Sequence, residues 1–237
     1  MIDVHCHLLP GIDDGPSVWQ ESIEMARHAE AAGTKHCILT PHILPGTYDN
    51  TIDTITPVFT KFKQILIDNQ IQLTISMAAE VHVCSELPML LQSEKIPFLG
   101  NWYGKKAILL ELPYHFIPVG FEQLLNWLLA REIIPVIAHP ERNKEIIINP
   151  QKASYYSSMG CLLQITASSI NGLFGRDSQA CAFFLINRDL ITFVASDGHN
   201  LYKRQPSLQI ACKILPAFIG EDKLKELVVT NPGVLLT

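Results

Sequence analysis

The chain has no apolar run long enough to span a bilayer, no block or stripe of lysine and arginine, and no C-x-x-C pair. The first absence excludes a membrane-spanning helix, which needs about 20 consecutive apolar residues. The second, together with a net charge of −5, argues against a nucleic-acid partner. The N-terminus also lacks the basic, apolar and small-residue succession of a secretory signal. There is no repeat, low-complexity tract or linker. With no signal, the six cysteines (Cys6, Cys37, Cys84, Cys161, Cys181 and Cys212) read as reduced thiols rather than disulfides, in a cytoplasmic protein. What is present is apolar material: 48% hydrophobic residues against 17% charged. That suffices for a large core. A length of 237 residues suits one domain, since barrels and large α/β folds of this size are often undivided.

Short β-rich runs alternate with amphipathic stretches along the whole chain. The expected strands are Ile2–His5, His36–Thr40, Leu73–Ala79, Ala107–Leu110, Ile133–Ala138, Cys161–Thr166 and Ile191–Ala195. They are nearly continuous in Ile, Leu and Val, as strands covered on both faces should be. The first helix is marked by Ser17 as N-cap with Gln20 three residues on, and by Gly33 at its end. Further helices are expected near 52–69, 119–131, 177–188 and 207–218, with loops at Tyr48–Asn50 and Pro113–Pro118. Strands separated by helices favour a parallel sheet, open or closed.

The residues that follow the strands carry the chemistry. The first strand runs into His5-Cys6-His7, the second into His42, the third into Glu80, the fourth into Glu111, the fifth into His139 and the seventh into Asp197 and His199. In parallel α/β folds reactive groups gather at the C-terminal ends of strands. Ligand-type groups from six strands meet at one point only if the sheet curls, which favours a barrel. Imidazoles and carboxylates without thiolate suit manganese, iron or zinc. Five histidines and four carboxylates, counting Asp14, exceed the needs of one ion and imply two or three. Multi-metal sites commonly serve in-line displacement at phosphorus. Arg142 and Arg204 follow ligand positions closely, where a planar guanidinium can grip phosphate oxygens.

The segments H-C-H-L-L-P-G-I-D-D-G, T-P-H, A-E-V, L-E-L, A-H-P-E-R-N and S-D-G-H-N, in this order from His5 to Asn200, resemble the bacterial polymerase-and-histidinol-phosphatase (PHP) superfamily. Within it they resemble the capsule-type manganese-dependent protein-tyrosine phosphatases. The resemblance implies a distorted seven-stranded (β/α)7 TIM-like barrel with three metal ions. It implies a first ion on His5, His7, Glu80 and Asp197, and a second on Glu80, Glu111 and His139. A third would lie on Asp14, His42 and His199, and Arg142 and Arg204 would bind phosphate as catalytic residues. Its implied substrate is phosphotyrosine on a protein such as a bacterial tyrosine autokinase controlling polysaccharide export. Two departures stand out: Cys6 where serine is frequent and Gly198 where alanine is frequent.

Cysteine catalysis of the H-C-x5-R kind is excluded by spacing, because the arginine positions after His5-Cys6 and His36-Cys37 hold Ile12 and Ile43. Water activated by bound metal is the expected nucleophile. The G-N-W-Y-G-K stretch at 100–105 is one residue short of a phosphate loop and lacks its closing hydroxyl residue. A small-molecule phosphatase, such as one for histidinol phosphate, and a catalytically silent binding module are the alternatives.

Overall fold

The apolar runs become strands, but proline and register breaks divide two of them. In the computed structural model, which describes Met1 to Thr237, β1 is Ile2–Cys6 and β2 is His36–Leu39. Pro41, with no N–H to donate to a ladder, ends β2, and the chain resumes pairing in β3 (His42–Ile43). The expected strand at 73–79 is likewise shorter: β4 covers Thr74–Met77 and β5 covers Glu80–His82. An unforeseen strand, β6 (Gly100–Trp102), pairs antiparallel with β7 (Lys105–Glu111). Tyr103 and Gly104 turn between them with φ of +50° and +85°, the two positive values a type I′ hairpin turn requires. That hairpin is what the G-N-W-Y-G-K stretch encodes. β8 (Ile133–Ala138), β9 (Leu162–Thr166) and β10 (Phe193–Ala195) complete the set.

β1, β2 and β4 pair in parallel in that order, and β10, β9, β8, β7, β5 and β3 form a second parallel sheet. Backbone hydrogen bonds tie the two together. Asp197 N–H donates to His5 O (2.8 Å) and His7 N–H to Gly198 O (2.9 Å), joining β1 to β10. The architecture is mixed α/β with parallel sheets. One apolar cluster is enclosed by the strands, built from Val4, Ile38, Leu109, Val136, Phe193 and their neighbours. A larger one lies between strands and helices and includes Leu39, Ile108, Ile137 and Leu163.

Helix α1 spans Trp19–Ala31, so Val18 and not Ser17 holds the N-cap position. The carboxylate of Glu21, rather than Gln20, accepts from the Ser17 N–H (2.8 Å) and hydroxyl (3.1 Å). Gly33, at φ +89°, lets the chain reverse after α1, as expected. Helix α2 covers Ile52–Asp68, and Phe121–Leu129 and Arg176–Asn187 answer two further expectations. The stretch expected as one helix at 207–218 divides into Gln209–Ile214 and Pro216–Lys225, because Pro216 cannot donate to a continuing helix. No helix is long and apolar enough to cross a membrane. All six cysteines are free.

Candidate metal centre

Along several strands the inward side chains are apolar until the last. Ala78 precedes Glu80, Leu109 precedes Glu111 and Ala195 precedes Asp197, each by two residues. The strand period of two therefore sets ligand-type groups as a layer directly above the enclosed apolar cluster. In β1 the register against β2 slips between Asp3 and Cys6. This bulge lets Val4 join the apolar cluster while His5 and His7 face one another across the site. Cys6 turns the other way, into the outer core, where its thiol lies 3.6 Å from the Ile38 carbonyl. Burial holds that thiol well above its ordinary pKa, a second reason against a thiolate nucleophile.

His5, His7, Glu80 and Asp197 form one fully buried cluster. His5 Nε2 lies 3.1 Å from His7 Nε2, 3.1 Å from Glu80 Oε2 and 3.4 Å from Asp197 Oδ1. His42 Nδ1 is 3.2 Å from the same Glu80 oxygen and 3.5 Å from Glu111 Oε2, while Glu80 Oε1 faces His139 Nε2 at 2.8 Å. Asp14 Oδ1 sits 3.3 Å from His42 Nε2 and 3.1 Å from His199 Nε2. All nine residues thus converge, with Glu80 at the middle. The mouth is formed by Asp14, Glu111, Arg142 and Arg204, whose side chains are 45, 21, 17 and 23% exposed.

The donor chemistry fits cations. Ligands held at about 2.0–2.2 Å from one ion stand roughly 3–3.6 Å from each other, the spacing found here. Three imidazoles use Nδ1–H elsewhere: His5 donates to Gln164 Oε1 (2.9 Å), His7 to Asp13 Oδ2 (2.7 Å) and His199 to the Asp197 carbonyl (3.0 Å). Each is left with an Nε2 lone pair turned inward, the tautomer a metal needs. His42 Nδ1, Glu80 Oε2, Asp197 Oδ1 and His199 Nε2 are buried without any hydrogen-bond partner.

Without ions the carboxylates hold protons on His5, His7 and His42 instead, while burial and the neighbouring His7 push His199 down to about 4. Burial opposes the charged form of His5, but Glu80 and Asp197 outweigh it and lift the pKa to about 9. His42 rises to about 10, where Glu80 and Asp14 again overcome burial. Both values exceed the ordinary 6.5, so this stabilisation is complete below pH 6.5 and is lost as pH rises through 9 to 10. The chelated protein is expected to melt progressively lower across that window. The loaded protein, which has already released those protons, should not, and thermal melts of both forms across the range check it.

Residues that sequence reasoning passed over do much of the positioning. Asp13, next to the chosen Asp14, orients His7, and Gln164, on the one strand without a strong ligand, orients His5. Asp3 binds Ser196 N–H (2.9 Å) and its hydroxyl (2.5 Å), tying the Asp197 loop to β1. His82 stands 3.3 Å from Glu111. The doublet D-D was the only available signal, since these partners meet across the fold. Two site residues, His139 (φ +30°) and Asp197 (φ +52°), adopt left-handed backbone, a strain of about 1–3 kcal/mol each that surrounding contacts must hold. Arg142 and Arg204 both bond Asp197 Oδ2, the latter at 2.6 Å, leaving Oδ1 for the imidazoles.

Gly198 has a steric reason here. A Cβ at this position would come within 2.5 Å of Pro206 Cα. Pro206 closes a turn in which His199 N–H donates to Arg204 O (2.7 Å). Gly198→Ala is therefore expected to push out the segment carrying Arg204, at a cost of about 1–3 kcal/mol. A lowered melting temperature together with reduced activity is the expected result.

The model of the CpsB/CapC family, described by capsular polysaccharide synthesis, matches residues 1–237. The chain is 36% identical over 236 residues to the tyrosine-protein phosphatase YwqE of Bacillus subtilis, covering all of this chain and 91% of that protein. It is 30% identical to the tyrosine-protein phosphatase CpsB of Streptococcus pneumoniae, covering 98% of it and all of this chain. A crystal structure from work on YwqE and CpsB as metal-dependent tyrosine phosphatases superposes with a TM-score of 0.91 at 36% identity, over all of this chain and 94% of that one. A lactonase from Listeria monocytogenes, 13% identical with a TM-score of 0.54 over all of this chain and 94% of its own, shares the fold alone. The chain belongs to the CpsB/CapC family of capsular polysaccharide synthesis.

Proposed function

We propose that this protein is a metal-dependent phosphatase that hydrolyses phosphotyrosine on proteins. One observation carries the reading: the buried convergence of His5, His7, Glu80 and Asp197 in a chain 36% identical to a tyrosine-protein phosphatase. The proposed substrate is a bacterial tyrosine autokinase governing polysaccharide export, in keeping with the capsular role of the family. The proposed setting is the cytoplasm, supported by six free cysteines. We read residues 1–237 as one domain. Its two linked sheets make a distorted seven-stave barrel of β1, β2–β3, β4–β5, β7, β8, β9 and β10, and β6 lies outside the ring.

In this reading His5, His7, Glu80 and Asp197 would hold a first ion, and Asp14, His42 and His199, with His7 beside them, a third. Glu80 and Glu111, which His42 also approaches, would hold a second together with His139, whose Nε2 stands 2.8 Å from Glu80 Oε1. Manganese is the proposed ion, and iron or zinc suits the same nitrogen and oxygen donors. Bound ions supply charge stabilisation for the phosphoryl oxygens and water of lowered pKa. The protein's own part is to orient and to screen. Asp13 and Gln164 fix two imidazoles, and the buried floor excludes bulk water. Arg142 and Arg204, partly buried at the mouth, are assigned to the phosphoryl oxygens through their planar forks. The tyrosine phenol, of pKa about 10, leaves without a strong general acid.

The test compares a phosphotyrosine peptide with histidinol phosphate, with manganese and with chelator. Peptide turnover that needs the metal is the expected result. Preferential turnover of histidinol phosphate favours the small-molecule reading, and turnover of neither identifies a silent module.

A further inference from the structure

Arg142 leads from the centre into a second recess. Its guanidinium bonds Asp197 on one side and lies 4.4 Å from the Phe174 ring centroid on the other. The recess beyond encloses about 220 Å³, lined by Tyr114, Arg142, Lys144, Phe174, Arg176 and Asp177 among others. Its charges are unevenly matched. Arg142 is already paired with Asp197, but Lys144 and Arg176 make no salt bridge, whereas Lys95, Lys152 and Lys223 each do. Asp177 is the one carboxylate among these lining residues, so two unpaired cations face one acid.

The wall is held in place before anything binds. Lys144 N–H donates to the Tyr114 carbonyl (2.9 Å), and its ammonium stands 5.2 Å over the Tyr114 ring. Asn143 donates to the carbonyls of Pro113 (2.7 Å) and Phe116 (3.1 Å), fastening the 113–118 loop to the start of the Lys144–Ile148 helix. A binding wall fixed in this way loses little freedom when a ligand arrives.

A chain whose phosphotyrosine enters the mouth passes Arg142, and in extended form its next residues lie about 3–10 Å further along. We propose that this recess seats an acidic side chain one to three residues from the phosphotyrosine, giving the enzyme a preference for acidic substrate segments. The inference rests on the phosphotyrosine reading above and adds a specificity site to it.

The experiment measures kcat/KM for phosphotyrosine peptides that differ only by Glu, Gln or Lys at the flanking positions. Wild-type protein is expected to favour Glu over Gln by about threefold to tenfold, as two partly exposed ion pairs allow. The preference should shrink in 1 M salt, where screening acts within about 3 Å. In the Lys144→Gln/Arg176→Gln variant it should vanish, and in Lys144→Glu/Arg176→Glu it should reverse toward Lys. Equal turnover of the Glu and Gln peptides by wild type, or a Glu preference that survives charge reversal, overturns the recess and leaves the phosphotyrosine reading intact. Failure of every phosphotyrosine peptide while p-nitrophenyl phosphate is hydrolysed overturns the reading on which it rests.

Discussion

Glu80→Gln is expected to leave the protein folded and to abolish phosphatase turnover. The substitution keeps the shape of a fully buried side chain and removes only its charge. Glu80 Oε2 faces His5 at 3.1 Å, His42 at 3.2 Å and His7 at 3.4 Å, and Oε1 faces His139 at 2.8 Å. No other carboxylate reaches so many of the imidazoles. Its pKa is held well below the ordinary range: burial raises it, and the surrounding histidines more than reverse that. Affinity for a cation falls with the charge count of its ligands, and an amide supplies none. Metal analysis should therefore show occupancy lost from more than one position, since the proposed first and second ions share Glu80. Wild-type metal content and turnover in this variant would remove the shared-ligand arrangement.

The arginines should behave differently. Arg142→Ala and Arg204→Ala are each expected to lower kcat/KM on a phosphotyrosine peptide by about tenfold to a hundredfold or more, because hydrogen bonds to charged groups are worth about 1.5–3 kcal/mol. Both guanidiniums already bond Asp197 Oδ2. Burial pushes the Asp197 carboxyl upward, while Arg204, His5 and Arg142 hold it well below the usual range. Each alanine variant should thus bind metal somewhat more weakly yet fill at saturating manganese, with the kcat/KM loss persisting there. Lysine at either position should rescue only in part, since it keeps the charge without the fork. If saturating manganese restores full activity, the arginines serve only to steady Asp197. Unchanged kcat/KM at every metal concentration would reduce them to surface residues.

Much of the layer of converging imidazoles and carboxylates was legible because a strand writes its inward face at every second residue, and the apolar column before Glu80, Glu111 and Asp197 makes their position visible in one dimension. The orienting groups had no such signature. Gln164 serves His5 from 159 residues away, a relation that exists only after the sheets meet. Asp13 and Asp14 are adjacent and chemically identical, so only the folded loop tells the residue that orients His7 from the one that faces His42 and His199. The β6–β7 turn was obscured by its resemblance to a failed phosphate loop, and its polar flanks, Asn101 and Lys105-Lys106, left Gly104 as the single hint of a hairpin. At 207–218 the amphipathic pattern was real, and Pro216 cut it in two.

The joining of β1 to β10 also governs how the protein is made. His5 and Asp197, 3.4 Å apart in the finished fold, are separated in sequence by almost every strand of both sheets. Leu235 helps to fill the enclosed apolar cluster, and its carbonyl accepts from Asn101 N–H at 3.1 Å. A Cβ at Gly100 would lie 2.1 Å from that same oxygen, so a side chain there would keep the late segment from docking. A chain emerging from the ribosome thus holds β1, with two histidines, until every other strand of the two sheets has been added and β10 arrives. Such distant pairings make for slow folding and a long exposure of unpaired edges. His5 and His7 are translated before their carboxylate partner Asp197, so the buried cluster they share cannot close until synthesis has passed the Asp197 loop.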